Sequence, residues 1–127
     1  MENFIDMKIL VVDDEDEIRR VVINSLSPLQ TTFYQASNGK EALGCLKKNS
    51  IDVMVSDIQM PVMGGLELLE NVQHLYPNMA TIVLTGHGER DVILKAMQYH
   101  AVDFIEKPFE AQILLGRVRN SLERCQY

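Results

Sequence analysis

Three aspartates, a threonine and a lysine stand where short apolar runs end: Asp13 and Asp14 after LVV, Asp57 after VMVS, Thr85 after TIVL, and Lys107 after DFIE. Side chains of these types can together bind a cation and an anionic group. A carboxylate can act as a nucleophile or hold a hard cation, a hydroxyl can bond an anionic oxygen, and an ammonium can neutralise charge. Carboxylates brought together need such a cation. At about 4 Å a like-charge pair costs roughly 4 kcal/mol at an effective dielectric of 20. Lys107 is one answer and a divalent ion is another. An all-oxygen donor set without neighbouring Cys or His favours Mg²⁺ over zinc. A Mg²⁺ held by few carboxylates keeps coordination positions open, and these suit phosphoryl oxygens.

For these residues to meet, the elements carrying them must converge. Apolar runs of strand length occur at Lys8–Val12, Thr32–Ala36, Asp52–Ser56, Ala80–Leu84 and Val102–Ile105. The first, third and fourth are nearly continuous in Ile, Leu, Val and Met, as expected of central parallel strands covered on both faces. Helical stripes lie between and after them: Ile18, Val21, Val22 and Leu26; Ala42, Leu43 and Leu46; Leu66, Leu69, Val72 and Leu75; Val92, Ile93, Ala96 and Met97; Leu114, Val118, Leu122 and Cys125. Five β-α alternations with short connections predict one doubly wound α/β domain, with a five-stranded parallel sheet and a core over about residues 8–122 of 1–127.

Pattern and spacing leave the strand order open. Ligands of open parallel sheets bind beyond the carboxyl ends of the strands, where the order reverses. The order 2-1-3-4-5 makes the first and third strands neighbours and gathers Asp13, Asp14 and Asp57. It sets Thr85 and Lys107 on the same rim. The concentration of polar groups at strand tips favours that order. Glu15 and Asp16 are expected in the first turn of the next helix, where their charge complements the helix dipole.

The whole chain sets further bounds. It has 127 residues, 46% hydrophobic and 24% charged, with a net charge of −6. This is the composition of a globular domain rather than a disordered or membrane-spanning one. The acidic balance disfavours direct binding to nucleic acid. The start MENFIDMK has neither the basic residues nor the apolar stretch of a secretion signal, so a cytoplasmic location is expected. Cys45 and Cys125 have no metal-ligand spacing and read as reduced thiols on helices.

With VVDDE at 11–15, SDIQMPVMGG at 56–65, VLTGHG at 83–88 and DFIEKPF at 103–109, the chain closely resembles the response-regulator receiver domain, the CheY-like family of two-component signalling systems. The likeness runs from about Lys8 to Leu122. It implies a phosphorylation-dependent switch, flavodoxin-like in fold, that catalyses only its own phosphorylation and dephosphorylation. Asp57 would be the phosphoacceptor, charged by a histidine kinase or phosphotransfer protein. Asp14 and Asp57 would bind Mg²⁺ through their side chains, Gln59 through its backbone carbonyl, and Asp13 through water. Lys107 would pair with the acids and then with the phosphoryl group, and Thr85 would bond a phosphoryl oxygen. Phe104 would be the switch aromatic, and the Lys107–Pro108 peptide would be cis. The responding face would comprise the fourth helix, fifth strand and fifth helix, about Glu89–Arg124. It would contact a downstream effector or output domain, or a second copy in a phosphorylation-dependent homodimer.

Departures from the family pattern are informative. His100 stands where the family usually has glycine and is expected in a turn of positive φ. His87 and Gln59 flank the expected pocket and are expected to tune how water reaches an acyl phosphate. His74 reads as an exposed helical residue, and Met54, Met60, Met63 and Met97 as packing residues. Phe104 has no hydroxyl with which to report switching. The alternative readings are a haloacid-dehalogenase-like phosphatase and an interaction module of this fold that is not phosphorylated. The phosphatase family wants an acid two residues after its nucleophile, and that place holds Gln59. The unphosphorylated module is disfavoured by the complete set Asp13, Asp14, Asp57, Thr85 and Lys107.

Overall fold

A computed structural model describes residues 4–60, 62–86 and 88–125. Among them the elements alternate as β1 (Lys8–Val12), α1 (Asp16–Leu26), β2 (Thr32–Ala36), α2 (Gly39–Lys48), β3 (Val53–Asp57), α3 (Gly65–Leu75), β4 (Ala80–Thr85), α4 (Arg90–Gln98), β5 (Asp103–Glu106) and α5 (Ala111–Cys125), with a short 3-10 turn at Ser27–Leu29. The strands form one sheet in the order β2-β1-β3-β4-β5, and every neighbouring pair is parallel. This is the expected doubly wound arrangement.

The burial of each strand follows from its place. β1, β3 and β4 are central and buried almost throughout, whereas the edge strands β2 and β5 carry two exposed positions each and one buried position each. Successive side chains of a strand point to opposite faces, and the core divides accordingly. Ile9, Val11, Val53, Val55, Ile82 and Leu84 pack with Val22, Leu26, Leu114, Val118 and Leu122, so α1 and α5 cover one face. Leu10, Val12, Met54 and Val83 pack with Ala42, Leu46, Leu68, Leu69, Val72 and Ala96, so α2, α3 and α4 cover the other.

Several local expectations change in detail. Glu15 is the residue before α1 rather than part of its first turn, which begins with Asp16 and Glu17. Val21, Leu75 and Met97, each assigned to an apolar stripe, are 49%, 62% and 41% exposed, and Cys125 is also exposed. Leu68, which was not assigned to the stripe of α3, is fully buried. Leu66 and Leu75 are nine positions apart in sequence, about two and a half turns, so they lie on opposite sides of the helix. His100 has φ 70° at the turn leaving α4, His74 is exposed, and both cysteines are free. No helix among the described residues is long and apolar enough to cross a membrane.

Candidate functional site

Register builds the site. Val12 pairs with Ser56 across β1 and β3, so the next residues, Asp13 and Asp57, leave adjacent strands side by side. Asp57 pairs with Leu84, and Thr85 with Glu106, which brings the ends of β4 and β5 to the same rim. The backbone ties these ends together. Asp13 N–H donates to the Ala36 carbonyl at 3.1 Å, Ile58 N–H to Leu84 at 3.1 Å, and Lys107 N–H to Thr85 at 2.7 Å.

Carboxylate oxygens of Asp13, Asp14 and Asp57 lie within 4.8 Å of one another. Asp13 and Asp57 are buried, and Asp14 is exposed. Lys107 Nζ reaches both buried acids, at 3.5 Å from Asp13 Oδ2 and 3.4 Å from Asp57 Oδ1. Burial pushes the Asp13 carboxyl up. The Glu15 N–H, donated to Asp13 Oδ1 at 3.0 Å, pulls it back, and the neighbouring Asp57 charge raises it again. Burial likewise pushes Asp57 up, against the pull of Lys107 and of the Gln59 N–H, which lies 3.4 Å from Asp57 Oδ1. Burial alone would lower Lys107, but the carboxylates of Asp57 and Asp13 outweigh it and the net shift is upward.

One ammonium thus faces two buried carboxylates and leaves them incompletely compensated. Asp13 Oδ2 is buried and accepts no hydrogen bond. That oxygen, the three converging carboxylates and the wholly oxygen donor set fit a hard divalent cation such as Mg²⁺. Thr85 completes the rim. It is fully buried, and its Oγ1 has no hydrogen-bond partner. A buried hydroxyl without a partner costs about 1–3 kcal/mol, so a donor is held in readiness beside the acids.

Other residues hold the frame. Gly65 begins α3 and donates its N–H to the Ile58 carbonyl at 3.0 Å. A Cβ there would strike the Asp57 carbonyl oxygen and come within 2.5 Å of Ile58 Cα. The final glycine of SDIQMPVMGG is therefore a contact between a helix start and the backbone of the central acid. Arg19 of α1 donates to the Asp13 carbonyl at 2.6 Å and to Gln35 Oε1 at 3.0 Å, and pairs with Asp16. It clamps the β1 tip to β2. Neither role is assigned from the sequence: Gly65 closes a quoted motif but carries no reactive group, and Arg19 lies outside every motif.

The remaining expected residues fall as follows. The Gln59 side chain is exposed beside the acids. Phe104 lies on β5 opposite Val83, 36% exposed, and borders a groove of about 440 Å³ with Phe109 and Ile113. Lys107–Pro108 is a cis peptide. His87 lies outside the described residues.

Comparison with known proteins gives the same result as the fold. Residues 9–119 match the response regulator receiver domain family. The DNA-binding transcriptional regulator NtrC of Salmonella typhimurium is 34% identical over 116 residues, which is 91% of this chain and 25% of that protein. The chain thus spans about a quarter of the length of such regulators. The chemotaxis protein CheY of Pseudomonas aeruginosa is 35% identical over 121 residues, covering 93% of this chain and 98% of that one. A response regulator receiver domain protein of Clostridium thermocellum superposes with a TM-score of 0.87 at 35% identity, covering 94% of this chain and 97% of its own. The chain belongs to the response regulator receiver domain family of two-component systems, a family of regulatory signalling domains.

Proposed function

We propose that this domain is a phosphorylation-operated switch in which Asp57 takes a phosphoryl group from a histidine kinase or a phosphotransfer protein. The reading rests on one observation above the others: Lys107 Nζ bridges Asp13 and Asp57 at 3.5 and 3.4 Å, on a rim that also holds the unpartnered Thr85 hydroxyl. An oxygen of the Asp57 carboxylate attacks phosphorus in line, and the P–N bond to the donor imidazole breaks. The imidazole leaves with the electron pair. Such transfers need positioning and charge neutralisation more than covalent help.

The chain's own groups supply these needs. Lys107 neutralises one anionic oxygen, and Thr85 Oγ1 donates to another. Asp14 and Asp57 side chains, the Gln59 backbone carbonyl, and Asp13 through water would hold Mg²⁺. Mg²⁺, when bound, supplies charge neutralisation at the phosphoryl oxygens. Phosphorylation adds a charge of about −1.5 to −2 at neutral pH. Thr85 and Lys107 turn toward that charge. The vacated space beside Thr85 lets Phe104 move inward from its half-exposed position, and the face formed by α4, β5 and α5 rearranges. That face carries exposed Leu94, Met97, Val102, Phe104 and Ile113, the apolar surface an output domain or a second copy would cover.

Incubation with acetyl phosphate and Mg²⁺ tests the reading. The intact mass should rise by one phosphoryl group, and Asp57→Asn should show no rise. A variant labelled as well as the parent would overturn the assignment. The phosphatase alternative loses ground because residues 9–119 match the receiver family and Gln59 stands where that alternative needs an acid.

A further inference from the structure

The loop leaving β4 contains a contact that neither the reaction nor the fold requires. Glu89, immediately before α4, turns its side chain back, and its Oε1 accepts the N–H of Gly86 at 2.8 Å. Gly86 follows Thr85, whose hydroxyl awaits an anionic oxygen, so its N–H is the next donor along the same strand tip. A carboxylate therefore occupies a backbone donor at the place where the phosphoryl charge of the proposed function would arrive. The other carboxylate oxygen, Oε2, is buried without a hydrogen-bond partner. An anionic oxygen buried without a partner is costly, so the Glu89 carboxylate regains solvation when the contact opens. Gly88, with φ +84°, supplies a turn of the left-handed kind between the two residues.

We infer that Glu89 is a positioning residue that latches the β4–α4 loop through the Gly86 N–H in the unphosphorylated state, and that charge on Asp57 displaces it. This rests on the reading of Asp57 as the phosphorylated residue. The incoming oxygens repel the Glu89 carboxylate and compete for the same N–H. Release removes the side chain that closes the loop at the start of α4, which couples the reaction to the face containing α4. The latch holds back switching, because a state that must be left lowers the apparent affinity for whatever binds the other state.

The contact can be broken from either side. Glu89→Ala removes the acceptor. Gly86→Ala keeps Glu89 but places a methyl 2.5 Å from the position of Oε1, an atom at the free end of a flexible side chain. Gly86 has no positive φ, so alanine suits its backbone. Glu89→Gln keeps the shape and an acceptor but removes the charge. The test is the affinity of each folded protein for beryllofluoride, formed from beryllium and excess fluoride with Mg²⁺, a stable mimic of the acyl phosphate. Affinity should rise about tenfold in both Glu89→Ala and Gly86→Ala, the loss of one charge-assisted hydrogen bond from the unliganded state, with Glu89→Gln in between.

The Gly86 amide proton, followed by NMR without beryllofluoride, should shift in Glu89→Ala and Glu89→Gln. If Glu89 served only to cap α4, Glu89→Gln would match the parent and both alanine variants would bind no better, and that result overturns the latch. A parent that binds beryllofluoride while all three variants bind equally well overturns the latch alone. A parent that binds none overturns the phosphorylation reading and the latch with it.

Discussion

The two ends of the parallel sheet carry aspartates in opposite circumstances. At the amino end, Asp52 precedes β3, and its Oδ2 accepts the Lys8 N–H at 2.8 Å. Its N–H donates to the Lys8 carbonyl at 2.9 Å, and its carbonyl accepts from Ala80 at 3.1 Å. The Cys125 thiol also lies 3.7 Å from that carbonyl. Asp52 thus stitches β1, β3 and β4 together, with its carboxylate satisfied by the backbone. At the carboxyl end, Asp13 and Asp57 are buried and share one ammonium, and Asp13 Oδ2 and Thr85 Oγ1 have no hydrogen-bond partner. The same residue type is a fastener at one end and an unsatisfied acid at the other. Satisfied polar groups stabilise a fold, whereas buried unsatisfied ones persist where something else completes them.

Substitutions at the two ends should therefore differ in kind. The largest effect is expected from Lys107→Ala. Without the ammonium, two buried carboxylates and the incoming phosphoryl oxygens lose a shared cation, and initial labelling by acetyl phosphate should fall about 10²–10³-fold. A rate within a few-fold of the parent would remove Lys107 from the account. Next is Gly65→Ala, where the new methyl meets the Asp57 carbonyl and Ile58 Cα. Both are backbone atoms of a central strand and cannot swing aside. A loss of about 3 kcal/mol in urea unfolding is expected.

Asp57→Asn should do the reverse and stabilise the protein, by about 1 kcal/mol or about 4 °C in Tm. The pH dependence gives the sign. Burial raises the Asp57 and Asp13 carboxyls in the fold, so the folded protein binds those protons more tightly than the unfolded chain does. Their charged forms therefore cost stability as pH rises through the unfolded value and then the folded one, and the full deficit stands above the latter. The advantage of Asp57→Asn should open as pH rises above the ordinary carboxylate value of about 4 and be complete once pH passes the raised folded value. An advantage equal at all pH values would show that burial of the charge is not its source. The raised Lys107 contributes in the other sense. Its stabilisation is present throughout the neutral range and is lost only as alkaline pH passes its folded value. The smallest effect belongs to the amino end. Asp52→Ala should cost about 0.5 kcal/mol and leave the extent of Asp57 labelling unchanged; reduced labelling would mean that the two ends are not independent.

The ease of reading the sequence divides along the same line. The bounds of β1 and β2 are legible because apolar runs give way to Asp13 on one side and to Ser37 and Asn38 on the other. The order β2-β1-β3-β4-β5 is favoured by the sequence without being dictated by it, because making β1 and β3 neighbours gathers Asp13, Asp14 and Asp57 and leaves Thr85 and Lys107 on the same rim. Helix faces are less legible. Steps of three residues drift around a helix of 3.6 residues per turn, which is how Leu75 joins a stripe on paper and points to solvent in the fold. Val21 sits at the margin of its face for the same reason. Contacts that depend on close approach leave no periodic trace. Gly65 against β3, Arg19 on the Asp13 carbonyl and Glu89 on the Gly86 N–H are all of this kind. Each is a pairing of two places in the fold, and composition at either place alone does not show it.

Chemical trapping identifies the carboxylate that takes the phosphoryl group. An acyl phosphate is reduced by borohydride to an alcohol, which converts the bearing aspartate to homoserine. Protein treated with acetyl phosphate and Mg²⁺, reduced and then sequenced by peptide mass spectrometry should carry homoserine in place of Asp57, with Asp13, Asp14 and Asp52 intact. Homoserine at another aspartate, with Asp57 unchanged, would contradict the account.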